Sequence, residues 1–305
     1  MAQRTPVKEQ FSRLSPASRL ALAVFRVRAA GKPAGIPGSL FLGLTSRCSL
    51  SCLHCKYRGG AGDLDLPYPL ALAALREAAA LGVPKAVFFG GEPLLYPRLA
   101  ELAGAARDLG LFTELDTNGQ ELTFARARAL ARAGLSSVMV SLHSPSPEEH
   151  DRLCGRGTYQ KAARALAAAL KAGLVTYVSS CVFSAGPGER DLRGLLAFAK
   201  DSGAHGARFL PYSPRAGASR LPAALAAALR REDPAGFAGT CLARGRRGCA
   251  AQRADILYLG PSGDLRACPY ALAGLGSLRR GTLAAALRRC GRAARGPVRP
   301  CQKRA

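Results

Sequence analysis

Two hydrophobic rhythms alternate along most of this chain. One is a set of short apolar runs that read as strands: Ser39 to Thr45, Lys85 to Phe89, Phe112 to Asp116, Ser137 to Leu142, Val175 to Phe183 and Ala207 to Leu210. The other is a set of longer Ala/Leu-rich stretches with helical spacing: Leu70 to Leu81, Arg98 to Leu109, Thr123 to Ala133, Thr158 to Ala172 and Arg190 to Ser202. Gly110, Gly134 and Gly173 stand where three of these helices should stop. Such alternation predicts parallel strands joined by crossover helices. The pattern alone fits a barrel and an open doubly wound sheet equally well. In both, reactive groups gather at the C-terminal ends of the strands.

The ends of the chain have a different texture. A helix from Pro16 to Ala30 and a breaker run from Gly31 to Gly38 make residues 1–38 an N-terminal helix and linker. Residues 39–211 carry the alternation. After Pro211 come Pro214, Gly217 and Pro222, and cysteines return. Ile256 to Leu259 and Leu265 to Ala267 flank Gly260-Pro261-Ser262-Gly263 as a hairpin, and Leu283 to Arg289 reads as a short helix. Residues 212–305 are expected to form a small cysteine-rich second domain.

Composition narrows the classes. The chain has 305 residues, 48% of them hydrophobic, so it can bury a sizeable core. No apolar run reaches the ~18 residues of a membrane span; Leu20 to Phe25 is ended by Arg26 and Arg28. The expected location is the cytoplasm. The net charge of +24 suggests an acidic partner or an anionic ligand. Nucleic acid is disfavoured, because few aromatic residues for base stacking accompany the basic tail after Asp264.

Ten cysteines change the picture further, because they cluster. Three lie within residues 48–55 and five between Cys241 and Cys301, with Cys154 and Cys181 isolated between. In a cytoplasmic chain, clustered cysteines more often bind metal than form disulfides. Cys48, Cys52 and Cys55 form C-x3-C-x2-C directly after the first strand. Three thiolates on one loop can hold three irons of a cuboidal 4Fe–4S cluster and leave the fourth iron open. The alternatives at this point are a zinc site, with His54 as an awkward fourth ligand, and plain buried thiols.

The stretch LGLTSRCSLSCLHC resembles the cluster loop of the radical SAM superfamily, with His54 at the position usually aromatic. Further along, Phe88-Phe89-Gly90-Gly91-Glu92-Pro93 resembles the family's GGEP loop and Thr117-Asn118-Gly119 its TNG turn. Val140-Ser141-Leu142-His143 is similar to V-S-L-D, with His143 in place of Asp, and Pro147 to Asp151 is similar to P-E-x-H-D. All stand in family order, and together they cover residues 39–211. The resemblance implies a partial (β/α)6 barrel and an enzyme. In such enzymes a 4Fe–4S cluster on Cys48, Cys52 and Cys55 cleaves S-adenosylmethionine reductively, and the 5′-deoxyadenosyl radical abstracts hydrogen from a substrate. It implies that Gly90, Gly91, Glu92 and Pro93 hold the methionine amino group, and that Thr117, Asn118 and Ser141 face the ribose or carboxylate. Relatives keep an Arg where Cys154 stands, so Arg152 or Arg156 is expected to meet the carboxylate instead.

Cys249 and Cys268 bracket the hairpin in a spacing that resembles the opening of the SPASM and twitch extensions. These carry auxiliary clusters. The later paired cysteines of the full motif are missing, so one auxiliary cluster is expected, on Cys241, Cys249, Cys268 and Cys301, with Cys290 as the rival for Cys301. A zinc knuckle is the alternative. The resemblance also implies a reducing partner such as flavodoxin or ferredoxin. A peptide or protein side chain is the expected substrate. A small anionic metabolite of tetrapyrrole or nucleotide type is the second reading, and a non-catalytic iron–sulfur electron carrier the third.

Overall fold

Each parallel strand needs a long return path, and this sequence supplies it as a helix nearly every time. The computed structural model describes residues 11–55, 62–182, 189–211, 227, 238–240, 254–271 and 273–295. In chain order the elements are α1 (Pro16–Ala30), β1 (Ser39–Gly43), α2 (Tyr68–Ala80), β2 (Lys85–Phe89), α3 (Leu99–Asp108), β3 (Phe112–Thr117), α4 (Phe124–Ala133) and β4 (Ser137–Ser141). Then come α5 (Pro147–Cys154), α6 (Thr158–Lys171), β5 (Val175–Val182), α7 (Glu189–Asp201), β6 (Gly206–Pro211), β7 (Ala238–Thr240), β8 (Ile256–Leu259), β9 (Asp264–Arg266), β10 (Gly274–Ser277) and α8 (Leu283–Arg295).

The ten strands form one sheet in the order β10-β9-β8-β1-β2-β3-β4-β5-β6-β7. Strands β1 to β7 pair in parallel, in sequence order. The hairpin β8–β9 is present, and it is bonded to β1: Ser39 to Leu42 run parallel to Ile256 to Leu259. The C-terminal segment therefore extends the sheet that carries the first cysteine loop. The boundary expected at residue 212 lies outside the described residues, as do Cys241, Cys249 and Cys301.

Strand side chains alternate between faces. Leu40, Leu42, Ala86, Phe88, Leu115, Val138, Val140, Val178 and Phe209 point to the helices and form the main core. Their neighbours Ser39, Phe41, Lys85, Phe89, Asp116, Met139, Ser141, Ser179, Cys181, Arg208, Leu210 and Ile256 all line a single cavity. Residues from strands so far apart in the sheet can share a cavity because the sheet curls into a partial barrel.

The N-terminal end of the barrel is closed by α1. Its cap, Ser15, accepts a hydrogen bond from the Ser18 amide, and Pro16 suits the first turn. Leu14, Leu22 and Phe25 pack against Phe112, Val175 and Tyr177, with the Phe25 and Phe112 rings 4.8 Å apart. Sequence periodicity did not predict α5, a short polar helix capped by Ser146, whose side chain accepts from the Glu149 amide.

Candidate active site

The cysteine loop is held by backbone bonds from two sides. Gly91 N donates to Thr45 O at 2.7 Å, and Glu92 N donates to Arg47 O at 2.7 Å. A Cβ at Gly91 would lie 2.2 Å from Arg47 O, and one at Gly90, whose φ is +147°, would lie 2.5 Å from Thr45 O. These glycines let the loop after β2 lie directly on the cysteine loop. On the other side, Leu53 N donates to Leu153 O at 2.9 Å, which ties the loop to the last turn of α5.

Cys48, Cys52 and Cys55 thus sit at the C-terminal mouth of the barrel, on the wall of the cavity, and none is in a disulfide. The Cys48 sulfur accepts from the Leu50 amide at 3.4 Å and from Asn118 Nδ2 at 3.6 Å. Burial pushes the Cys48 thiol up, and the neighbouring charges of Glu92, Cys52 and Cys55 add to that. A metal cluster would reverse this penalty, since a coordinating thiol is deprotonated. Three thiols on one loop, two sulfur-directed N–H donors and an adjoining cavity of about 430 Å³ fit a thiolate-held iron–sulfur cluster with room beside it for a ligand.

The residues expected at the S-adenosylmethionine site divide into two groups. Gly90, Gly91, Thr117, Asn118 and Ser141 line the cavity. Glu92 and Pro93 are buried behind it. Glu92 is 0% exposed, and its carboxylate accepts from Leu94 N at 3.0 Å, Thr117 Oγ1 at 2.7 Å and Asn118 N at 2.8 Å. Burial pushes its pKa up to about 7, against the pull of those three donors. The Glu92 carboxylate is thus engaged by the turn after β3 and by Leu94 N. Arg152 forks outward onto Glu149 at 2.5 Å, and neither it nor Arg156 lines the cavity. The one arginine on the cavity wall among the described residues is Arg208.

Cys154 is buried beside Cys52. Its thiol is pushed up first by a hydrogen bond to Cys52 and then by burial. Cys52, His54 and Cys154 present ligand atoms within 4.8 Å of one another, as do His54, His143 and Cys181. The His54 and His143 rings meet edge to face at 4.3 Å, and His143 stacks on His150 at 5.7 Å. His143 Nδ1 accepts from the Cys181 amide and His150 Nδ1 from the His143 amide, both at 3.1 Å. Both rings are therefore held with the proton on Nε2. Burial lowers all three histidines, His54 to about 4.

Below this layer lies a group that periodicity did not single out. Lys85 Nζ meets Glu114 Oε1 at 3.1 Å and Arg208 Nη2 meets it at 3.7 Å. Burial by itself raises Glu114, but Lys85 and Arg208 bring it below the usual carboxylate range. Asp116 lines the cavity one layer nearer the mouth, and its Oδ1 is buried with no hydrogen-bond partner. Burial, followed by the charge of Glu114, pushes Asp116 up to about 7. The signal was present in the sequence: charges at alternate positions of TELDT, and at Lys85 and Arg208, stand on strand faces that would otherwise be apolar.

Cys268 is buried and lines the same cavity with Pro269 and Tyr270. Cys290 stands on α8.

Comparison with known proteins places this geometry. The family model described as "Radical SAM superfamily" matches residues 42–199. A PqqA peptide cyclase of Ruegeria pomeroyi is 40% identical over 141 residues, 45% of this chain and 37% of that protein. A probable GTP 3′,8-cyclase of Methanosarcina acetivorans is 33% identical over 172 residues, 54% of this chain and 51% of that one. The chain thus spans about half or less of the length of these curated relatives. Among solved structures, Streptococcus suis SuiB bound to S-adenosylmethionine gives a TM-score of 0.68 at 17% identity, over 82% of this chain and 65% of that one. An anSMEcpe structure with bound AdoMet gives 0.63 at 15% identity, over 81% and 79%. Likeness at that identity concerns the fold alone, and the fold is the partial barrel described above. With a model match over more than half of the chain, and with the three cysteines at the mouth of that barrel, the chain belongs to the radical SAM superfamily.

Proposed function

We propose that this enzyme modifies a peptide or protein side chain by radical chemistry, with Cys48, Cys52 and Cys55 holding the 4Fe–4S cluster. Gly90, Gly91, Thr117, Asn118 and Ser141 face S-adenosylmethionine. When bound, the cluster and S-adenosylmethionine supply a 5′-deoxyadenosyl radical that takes a hydrogen atom from the substrate. The chain's own residues do the rest. The Leu50 amide and Asn118 Nδ2 point N–H dipoles at the Cys48 sulfur and favour its thiolate. Glu92 fixes Asn118 through its backbone. Helices on the outside and α1 below close the sides and floor of the lumen.

The observation that carries the proposal is the convergence of Cys48, Gly90, Gly91, Asn118 and Ser141 on one cavity. The peptide half of the proposal has two supports: the PqqA peptide cyclases among the relatives, and the presence of SuiB, also solved with its precursor peptide SuiA, among the structural neighbours. Cys268 on the cavity wall supports an auxiliary cluster close to the substrate, its remaining ligands being Cys241, Cys249 and Cys301 or Cys290. Flavodoxin or ferredoxin is the proposed electron source.

The test is anaerobic incubation of the reconstituted protein with S-adenosylmethionine and dithionite. Release of 5′-deoxyadenosine is expected, and deuterium should pass into it from a labelled peptide substrate. Absence of 5′-deoxyadenosine from protein with a full cluster would overturn the assignment.

A further inference from the structure

The lumen has two unlike walls. On β1, β2 and β8, Phe41, Phe89 and Ile256 give the lining a mainly apolar stretch, interrupted by Ser39 and Lys85, with Tyr258 packed behind Phe41. Gly43 is what lets Tyr258 lie across β1, since a Cβ there would fall 2.3 Å from the phenol oxygen. Beside it, from β3 round to β6, the lining is more polar, with Asp116, Ser141, Ser179 and Arg208 as well as Met139 and Leu210. On that wall the Asp116 carboxyl stands out. It lines the cavity and is half-buried, yet it makes no hydrogen bond or ion pair among the described residues; Oδ1 is closed off from water, which leaves only Oδ2 for a ligand to reach. Buried carboxyl groups are normally partnered, because an unmet acceptor costs its full desolvation. A group of this kind at an active site points to a partner that arrives with the ligand.

We infer that Asp116 is a specificity-determining residue, which receives a neutral hydrogen-bond donor carried on the apolar side chain of the substrate. This rests on the reading of the cavity as the active site. The charge of the ligand follows from the neighbours. A cationic group would meet Lys85 and Arg208, and an anionic group would meet Glu114 and Asp116 itself. An uncharged hydroxyl or carboxamide avoids both repulsions. Phe89, beside Asp116 on the neighbouring strand, and Phe41 next to it accommodate an apolar body. Position also suits the chemistry. Asp116 and Asn118 are two residues apart on one strand edge, which places them about 7 Å apart along the barrel axis. A side chain held at Asp116 therefore lies one layer beneath the turn that faces S-adenosylmethionine, within reach of hydrogen abstraction.

Phenol and toluene test this, because they differ in little but the donor. Their affinities for the reconstituted holoprotein are measured by titration calorimetry, with benzoate and benzylammonium as charged counterparts. At pH 8, above the raised pKa of Asp116, phenol is expected to bind at least about tenfold more tightly than toluene, the worth of a hydrogen bond to a charged acceptor. It is also expected to bind more tightly than either ion. In Asp116→Leu the preference should vanish while toluene still binds. Should that variant fail to fold, Asp116→Asn should show a smaller preference than the parent. Equal binding of phenol and toluene, no binding of either, tightest binding of benzoate or benzylammonium, or an undiminished preference in whichever variant folds would each overturn the inference. Release of 5′-deoxyadenosine by the parent protein alone checks the underlying reading separately.

Discussion

The backbone amide of Asn118 donates to Glu92 Oε2 at 2.8 Å, joining the turn after β3 to the loop after β2 across 26 residues of sequence. The other carboxylate oxygen takes Thr117 Oγ1 and Leu94 N. One buried side chain therefore sets the position of a residue that faces both Cys48 and the cavity.

Replacing Glu92 with Gln should show this. An amide nitrogen in place of Oε2 would face the Asn118 N–H, donor against donor. Stability should fall by about 1–3 kcal/mol, read from thermal unfolding of the reconstituted protein. Affinity for S-adenosylmethionine should fall with it, by equilibrium dialysis. Parent values for both would mean that the clamp does not position Asn118.

Gly91→Ala tests the contact between the two loops. The new methyl would meet backbone, Arg47 O at 2.2 Å, which cannot swing aside as a side chain can. Overpacking of this kind costs roughly 1–3 kcal/mol. The strain falls on the residue just before Cys48, so iron uptake on reconstitution should drop well below the parent. Full iron uptake would show that the loop tolerates displacement.

Much of this was legible in the sequence. Lys85–Phe89 and Pro16–Ala30 have the bounds that pattern predicts, and the other barrel strands and helices lie within about two residues of theirs. Strong periodicity and glycine stops explain that success. The cysteine loop and the loops after β2 and β3 were also legible, because they sit at strand ends. Helix α5 was not, since the face it buries is His150, Leu153 and Cys154, too short and too polar to read as an apolar stripe. The role of Glu92 was not, because burial is a property of tertiary packing. Nor was the lumen group of Lys85, Glu114, Asp116 and Arg208, since a charge on a strand reads equally as a solvent-facing position until the sheet curls.

Asp116 should make stability depend on pH. Its folded pKa is raised from 3.8 to about 7, so between those values the folded state keeps a proton that the unfolded chain releases. Stability from this group is full at the acid end and is lost as pH rises through about 7. The loss amounts to roughly 2–4 kcal/mol. The charged groups around it are Glu114 on its own strand, Arg208 on β6 and Lys85 on β2. Asp116→Asn should flatten the fall in melting temperature between pH 5 and pH 8. An unchanged slope in the variant would place the titration elsewhere.

The cysteines of the first site separate by role. Ala at Cys48, Cys52 and Cys55 together should abolish reductive cleavage of S-adenosylmethionine. Cys154→Ser and Cys181→Ser should each keep the iron of this site, although Cys154 touches Cys52, because the three loop thiolates are the proposed ligands. Loss of iron in either Ser variant would make that residue a ligand.

The last prediction concerns the C-terminal cysteines. Cys268 lines the same cavity as Cys48, Cys52 and Cys55, and β8 bonds directly to β1, so a metal held there would be close to a substrate in that cavity. Two clusters would give about eight irons per chain. Cys268→Ala should remove about half of them and leave S-adenosylmethionine binding intact. The fourth ligand lies between Cys290, on α8, and Cys301. Chain ends stay mobile unless tied down, and a thiolate–iron bond would tie the Arg-rich segment from Arg288 to Arg299 near a cluster whose thiolates carry negative charge. Truncation after Arg299 should therefore lower the auxiliary iron, whereas Cys290→Ala should retain it. The reverse result would assign the ligand to Cys290. Zinc in place of iron, with about four irons left, would make the C-terminal site a knuckle rather than a cluster.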